Sequence, residues 1–145
     1  MPIKTFRGLI ADGGQDTILL HTNTGSTGYK IVKFEVLSRD PTGANVETVV
    51  QIWSVAQTAL VTTIDFSNQE LLAVAYFSNA SAPPNRTTDV IVFDDRVFNQ
   101  DIFVTVKGGT STDSMNYHIE LEQVKLDLGA NTVATLKDIR NVTAP

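Results

Sequence analysis

The sequence predicts an all-β chain, an antiparallel β-sandwich that is jelly-roll-like and formed by one domain over residues 1–145. Three observations carry that expectation. The chain holds 16 Val, 10 Ile and 18 Thr, and β-branched side chains, stiff at χ1, suit a pleated surface better than a helix. Apolar and polar residues alternate over several short runs, which is the period of a half-buried strand. These runs recur about every ten residues with Gly, Pro, Asn or Asp clusters between them, the spacing of a sandwich or barrel rather than of alternating strands and helices.

Taken in order, Thr5 to Ile10 and Thr17 to Thr22 read as strands, and Asp12-Gly13-Gly14-Gln15-Asp16 between them reads as a hairpin connection. Tyr29 to Leu37 places Val32, Phe34 and Val36 on one side and Lys33 and Glu35 on the other, among the clearest strand patterns in the chain. Thr48 to Val55, Val61 to Phe66 and Thr88 to Phe93 read as further strands. Ser67-Asn68-Gln69-Glu70 fits a Ser-x-x-Glu capping box, so Leu71 to Tyr76 is expected as one short helix, although the same apolar run suits a fully buried strand.

Asp101 to Lys107 alternates through Ile102, Val104 and Val106 and ends at the turn formers Gly108 to Ser114. From Tyr117 the chain sets Ile119 and Leu121 against His118, Glu120 and Glu122, then resumes one position out of phase with Val124, Leu126 and Leu128 against Lys125 and Asp127. A slip of one residue would turn every side chain over, so an extra residue near Gln123, a β-bulge, is expected to restore the phase. The tail from Asn131 to Arg140 fits helix and strand equally. The expected core is Val32, Phe34, Val36, Ile102, Val104, Val106, Ile119 and Leu121.

Composition bounds the function. With 42% apolar and 19% charged residues the chain is in the globular range. A net charge of -5 argues against nucleic acid as a partner, because that binding is driven by Lys and Arg releasing counterions. Zero cysteines exclude disulfides, thiolate zinc sites and thiol nucleophiles. No stretch approaches the roughly 20 apolar residues of a membrane helix, and Met1 to Arg7 has no apolar signal region, so synthesis in the cytoplasm without processing is expected. The Asn-x-Ser/Thr matches at Asn79, Asn85 and Asn141 read as chance.

The residues that could carry chemistry are few. His21 and His118 are the two histidines, and neither has a catalytic signature around it. Asp94, Asp95 and Asp101 supply hard oxygen ligands but lack the alternating spacing that aims several at one calcium ion. The glycine turn at Gly13-Gly14 opens no helix and is flanked by Asp12 and Asp16, which repel phosphate. Glu120 and Glu122 share one strand face, as a glycosidase pair could, but same-strand carboxylates on a polar face are usually solvated. Trp53, Tyr76, Phe77 and Tyr117 read mainly as core. The expectation is no catalytic, cofactor-binding or metal residue, no enzymatic activity and no cofactor.

Three stretches carry a resemblance: Leu20 to Phe34 with Asn23-Thr24-Gly25-Ser26-Thr27-Gly28-Tyr29, Phe93 to Thr105, and Tyr117 to Leu126. In these the chain resembles small virion structural proteins of marine tailed phages. The resemblance implies a particle component, similar to capsid decoration (cement) proteins that sit on the outer capsid surface and clamp neighbouring capsomers. The partner it implies is a major capsid protein, and a tail, neck or fibre-attachment component belongs to the same class. No functional residue carries over. A shell with threefold sites favours a homotrimer, because three weak contacts then act together. The elements expected to make contacts are the N-terminal arm Met1 to Arg7 and the loop Ser78 to Thr87 with its stiff Pro83-Pro84 pair. A carbohydrate-binding β module and a hydrolase are the competing classes. The first would need exposed aromatics beside Asn, Asp or Gln, and the second a concave site with perturbed acids.

Overall fold

A computed structural model describes residues 2–22, 25–42, 46–81, 84–93, 96–109 and 113–126. It contains eight strands: β1 (Ile3–Ile10), β2 (Gln15–Ile18), β3 (Thr27–Ser38), β4 (Val46–Trp53), β5 (Leu71–Ser81), β6 (Pro84–Val92), β7 (Ile102–Gly108) and β8 (Met115–Lys125). They form two antiparallel sheets, one in the order β1-β8-β3 and the other β2-β7-β4-β5-β6. The sheets pack face to face as a β-sandwich, with no helix among the described residues.

The connections explain the arrangement. A jelly roll winds a long antiparallel ribbon so that its strands nest as first with eighth, second with seventh, third with sixth and fourth with fifth. Three of those pairs are present here: β1 with β8, β2 with β7 and β4 with β5. The fourth is replaced. β6 stays on β5 as a long hairpin, from Ala73↔Val92 to Ser81↔Pro84, while β3 pairs with β8 and approaches β6 only where the sheet edges meet. Asp12 to Gly14 is therefore a corner between sheets rather than the expected hairpin, since β1 and β2 do not pair. Gly13 has φ 78° there, a left-handed conformation that favours glycine.

The core between the sheets contains Phe34, Val36, Ile102, Val104, Val106, Ile119 and Leu121, as expected. Val32 is the exception, at 42% exposed. The register of β3 on β8 jumps from Ile31↔Leu121 to Lys33↔Glu120, so Val32 is the extra residue of a bulge and Ile31 takes the inward place ahead of Phe34. The phase change expected near Gln123 lies on this partner strand instead. β8 itself runs in register through Gln123 as far as Lys125. Leu126 is buried beyond the strand end, where its backbone N–H donates to the Ser26 carbonyl.

The expected helix at Leu71 to Tyr76 is a strand, the start of β5. The groups that would have capped a helix are spent on turns. Ser67 donates from its backbone N–H and its hydroxyl to Asp65 Oδ1, and Glu70 N–H donates to Asn68 Oδ1. Leu71 to Ala75 are all buried because this strand is covered on both sheet faces. The inner face meets the other sheet. On the outer face Gln51, Trp53 and Val74 are buried as well, and Gln51 Nε2 donates to the Val61 carbonyl at 3.4 Å, which brings Val61 onto this side of the sheet. The expected strand Val61 to Phe66 is absent, and Val61, Ile64 and Phe66 are all exposed. Leu128 and the tail Asn131 to Arg140 lie outside the described residues.

Candidate interaction surface

The outward residues of β1, β8 and β3 form four rows across the smaller sheet. The pairings place Ile3, Glu122 and Lys30 in one row, Thr5, Glu120 and Lys33 in the next, Arg7, His118 and Glu35 in the third, and Leu9, Asn116 and Leu37 in the fourth. The last two rows line an open groove of about 820 Å³. Leu9 is 50% exposed and Leu37 48%, and they stand on the two edge strands with Asn116 between them. Strand alternation puts them there, because the inward places are taken by Ile10 and Tyr117 on either side of Leu9's row and by Val36 and Ser38 on either side of Leu37.

The charged rows are laced by exposed ion pairs. Lys33 Nζ lies 3.4 Å from Glu35 Oε1 and 3.8 Å from Glu120 Oε2, His118 Nδ1 lies 3.5 Å from Glu35 Oε1, and Lys30 Nζ lies 4.0 Å from Glu122. Such pairs contribute little to stability, a fraction of a kcal/mol up to about 1 kcal/mol each, so they pattern the face more than they hold it. The Arg7 guanidinium has no partner among the described residues. His118, Glu120 and Glu122 thus share one face, with each carboxylate next to a lysine rather than aimed with the other at a common point.

His21 and Asp101, distant in sequence, meet at the end of the larger sheet. Asp101 Oδ1 accepts from Leu20 N–H at 2.8 Å, from His21 N–H at 3.0 Å and pairs with His21 Nδ1 at 2.7 Å. Partial burial pushes the Asp101 carboxyl up, but the hydrogen bonds from His21 and Leu20 and the imidazole charge outweigh it and hold the group below its ordinary value. The arrangement clamps the chain just after β2, which ends at Ile18, short of the expected Thr22. Of the Asp94, Asp95 and Asp101 set, Asp94 and Asp95 lie outside the described residues. No group of three or more His, Asp or Glu that could hold a metal occurs among the described residues.

A link between the sheets escaped the sequence reading. Tyr117, inward on β8, donates from its hydroxyl to Asp16 Oδ2 on β2 at 3.1 Å. Burial, then the Asp16 charge and this hydrogen bond, push the phenol up to about 12. The ring reaches across because its register partner is Gly8, where an added Cβ would stand 2.9 Å from the Tyr117 ring. An isolated glycine inside an alternating strand signals close approach of this kind.

The two expected contact elements have a different local structure from the arm and loop expected. Ile3 to Arg7 are not a free arm but pair with Glu122 to His118 of the same chain. Ser78 to Thr87 is not an ordinary loop either. Ser78 pairs with Thr87 and Ser81 with Pro84, at the end of the β5–β6 hairpin.

These features define a β-sandwich with an open groove on the outer face of its smaller sheet. No protein-family model matches the chain, and no curated protein matches it.

Proposed function

We propose that the chain is a structural protein of a phage particle, a capsid decoration (cement) protein that binds the major capsid protein on the outer shell and stabilises the head. The observation that carries this reading is the open face with Leu9 and Leu37 half-exposed beside Arg7 and Glu35. A macromolecule can cover such a surface, whereas a small ligand bound there would stay largely in water. The resemblance of the three stretches to virion proteins supplies the particle. Quantitative mass spectrometry of purified virions tests it. The chain should be recovered in stoichiometric ratio to the major capsid protein, and its absence from purified particles overturns the proposal. Recovery with isolated tails rather than heads selects the tail, neck or fibre-attachment role.

One observation favours a carbohydrate-binding module as a second reading. Phe66, 53% exposed, stands edge-to-face with Phe93 at 5.2 Å between ring centres. Asn68, Gln69 and Arg96 line the same slot of about 150 Å³. Glycan-array binding that is abolished by Phe66→Ala would support it, and a blank array would remove it.

A further inference from the structure

The row pattern of the smaller sheet has a symmetry of its own. Across the central strand β8, Arg7 on β1 is level with Glu35 on β3, and Leu9 on β1 is level with Leu37 on β3. A twofold axis lying in the plane of contact and running along β8 exchanges the two edge strands between facing copies. It sets Arg7 of one copy against Glu35 of the other and Leu9 against Leu37, twice each. It also sets Asn116 against Asn116 and His118 against His118. An axis running across the strands between these two rows fails the same test, because it lays leucine on arginine at one edge and leucine on glutamate at the other. We propose that the outer face of the three-stranded sheet is a self-association surface on which a second copy of this chain packs about a twofold axis along β8.

Several features fit this occupant. The Arg7 guanidinium has no partner in its own chain among the described residues, and the second copy supplies a carboxylate for it. Leu9 and Leu37 are the exposed apolar residues of the two rows that line the groove, and the axis makes them cover each other. Isologous contacts of this sort repeat each favourable pair, so one charge match and one apolar match become two of each. The neighbouring row brings Glu120 against its own copy, but each Glu120 keeps Lys33 at 3.8 Å, which softens that repulsion. At a strand spacing of about 4.8 Å and a rise of about 3.4 Å per residue, the face measures roughly 14 by 20 Å. That is smaller than a standard interface of about 800 Å² per partner, so the dimer is weak and concentration-dependent. The stoichiometry is two, in place of the threefold arrangement expected from shell symmetry.

The inference rests on the same face that the proposed function offers to the capsid protein, so the dimer and the shell-bound chain are alternative uses of one surface. Sedimentation of the full chain, from about 1 µM to about 1 mM so as to bracket a weak interface, should show a monomer–dimer equilibrium. Arg7→Glu alone and Glu35→Arg alone should each weaken it about tenfold or more, since each sets like charges together twice. The double exchange should restore it, and thermal melts should show all three variants folded. Asn116→Cys, the sole thiol in a cysteine-free chain, should be joined to its copy by a short bismaleimide, whereas Thr17→Cys on the other sheet should not. A monomer throughout the series, a trimer, or a double variant as weak as the single ones overturns the proposal. So does equal cross-linking at both cysteine positions. Loss of dimerisation with virion incorporation intact would separate this inference from the proposed function.

Discussion

At the scale of single residues, position relative to the bulge in β3 decides energetic weight. Phe34 is buried between the sheets, so Phe34→Ala should cost on the order of 3 to 5 kcal/mol, a large share of a typical stability of about 5 to 15 kcal/mol. Val32, only two positions away, points out of the bulge, and Val32→Thr should change stability by no more than about 0.5 kcal/mol. Chemical denaturation of both variants checks the pair, and equal losses would contradict the bulge. Alternation alone could not show this, because one inserted residue inverts the pattern without altering composition. Tyr117 yields a pH prediction. Its folded-state value, about 12, lies above the ordinary value of 10. The native state therefore keeps a proton that the unfolded chain releases, and stability that is full below pH 10 is lost as pH rises toward 12. Tyr117→Phe should flatten that alkaline decline. Asp101 works in the opposite sense. Its lowered value stabilises the fold above the ordinary carboxylate range and ceases to do so as the group protonates in acid, so Asp101→Asn should narrow its deficit against the unaltered chain at low pH.

At the scale of elements, the legible strands were those buried on one face. β3 and β8 alternate in sequence because one side meets the core and the other is open, and β7 alternates because its outer places hold Phe103, Thr105 and Lys107, of which Thr105 alone is buried. β5 was illegible as a strand because its residues are buried on both faces, which turns alternation into a continuous apolar run that a helix could equally use. The Ser67-x-x-Glu70 pattern then pointed the wrong way, since a capping box and a pair of side-chain-closed turns use the same residue types. The outer face of the smaller sheet could not be read at all from spacing. Arg7, Asn116, His118 and Glu35 become neighbours only because β8 pairs with β3 on one side and with β1, the first strand, on the other. The same pairing gives the N-terminal residues a structural task. Deleting residues 2–7 should remove most of the β1 ladder and uncover the edge of β8, lowering the melting temperature by several degrees or more. A truncated chain that melts like the full one would show that β1 contributes little.

At the scale of the whole molecule, the two sheets are interleaved along the chain. β1, β3 and β8 build one sheet while β2 and β4 to β7 build the other, so neither is a contiguous stretch that could fold by itself. Ile3 pairs with Glu122, closing nearly the whole described length before the smaller sheet exists. Loop-closure entropy of that kind must be met before the contacts that offset it form, which places refolding in the slow range of about milliseconds to seconds. The unfolding transition should also be one cooperative step. Trp53 reports on the larger sheet, since it is buried on its outer face with its indole N–H donating to Thr105 Oγ1 at 2.9 Å. Amide exchange in β8 reports on the smaller sheet, where that strand is central and bonded on both sides. If the core between the sheets couples them, Trp53 fluorescence and β8 protection should be lost at the same denaturant concentration. Should Trp53 report unfolding while β8 remains protected, the sheets would be separable units, and the Tyr117–Asp16 bond between them would not be the coupling that its position implies.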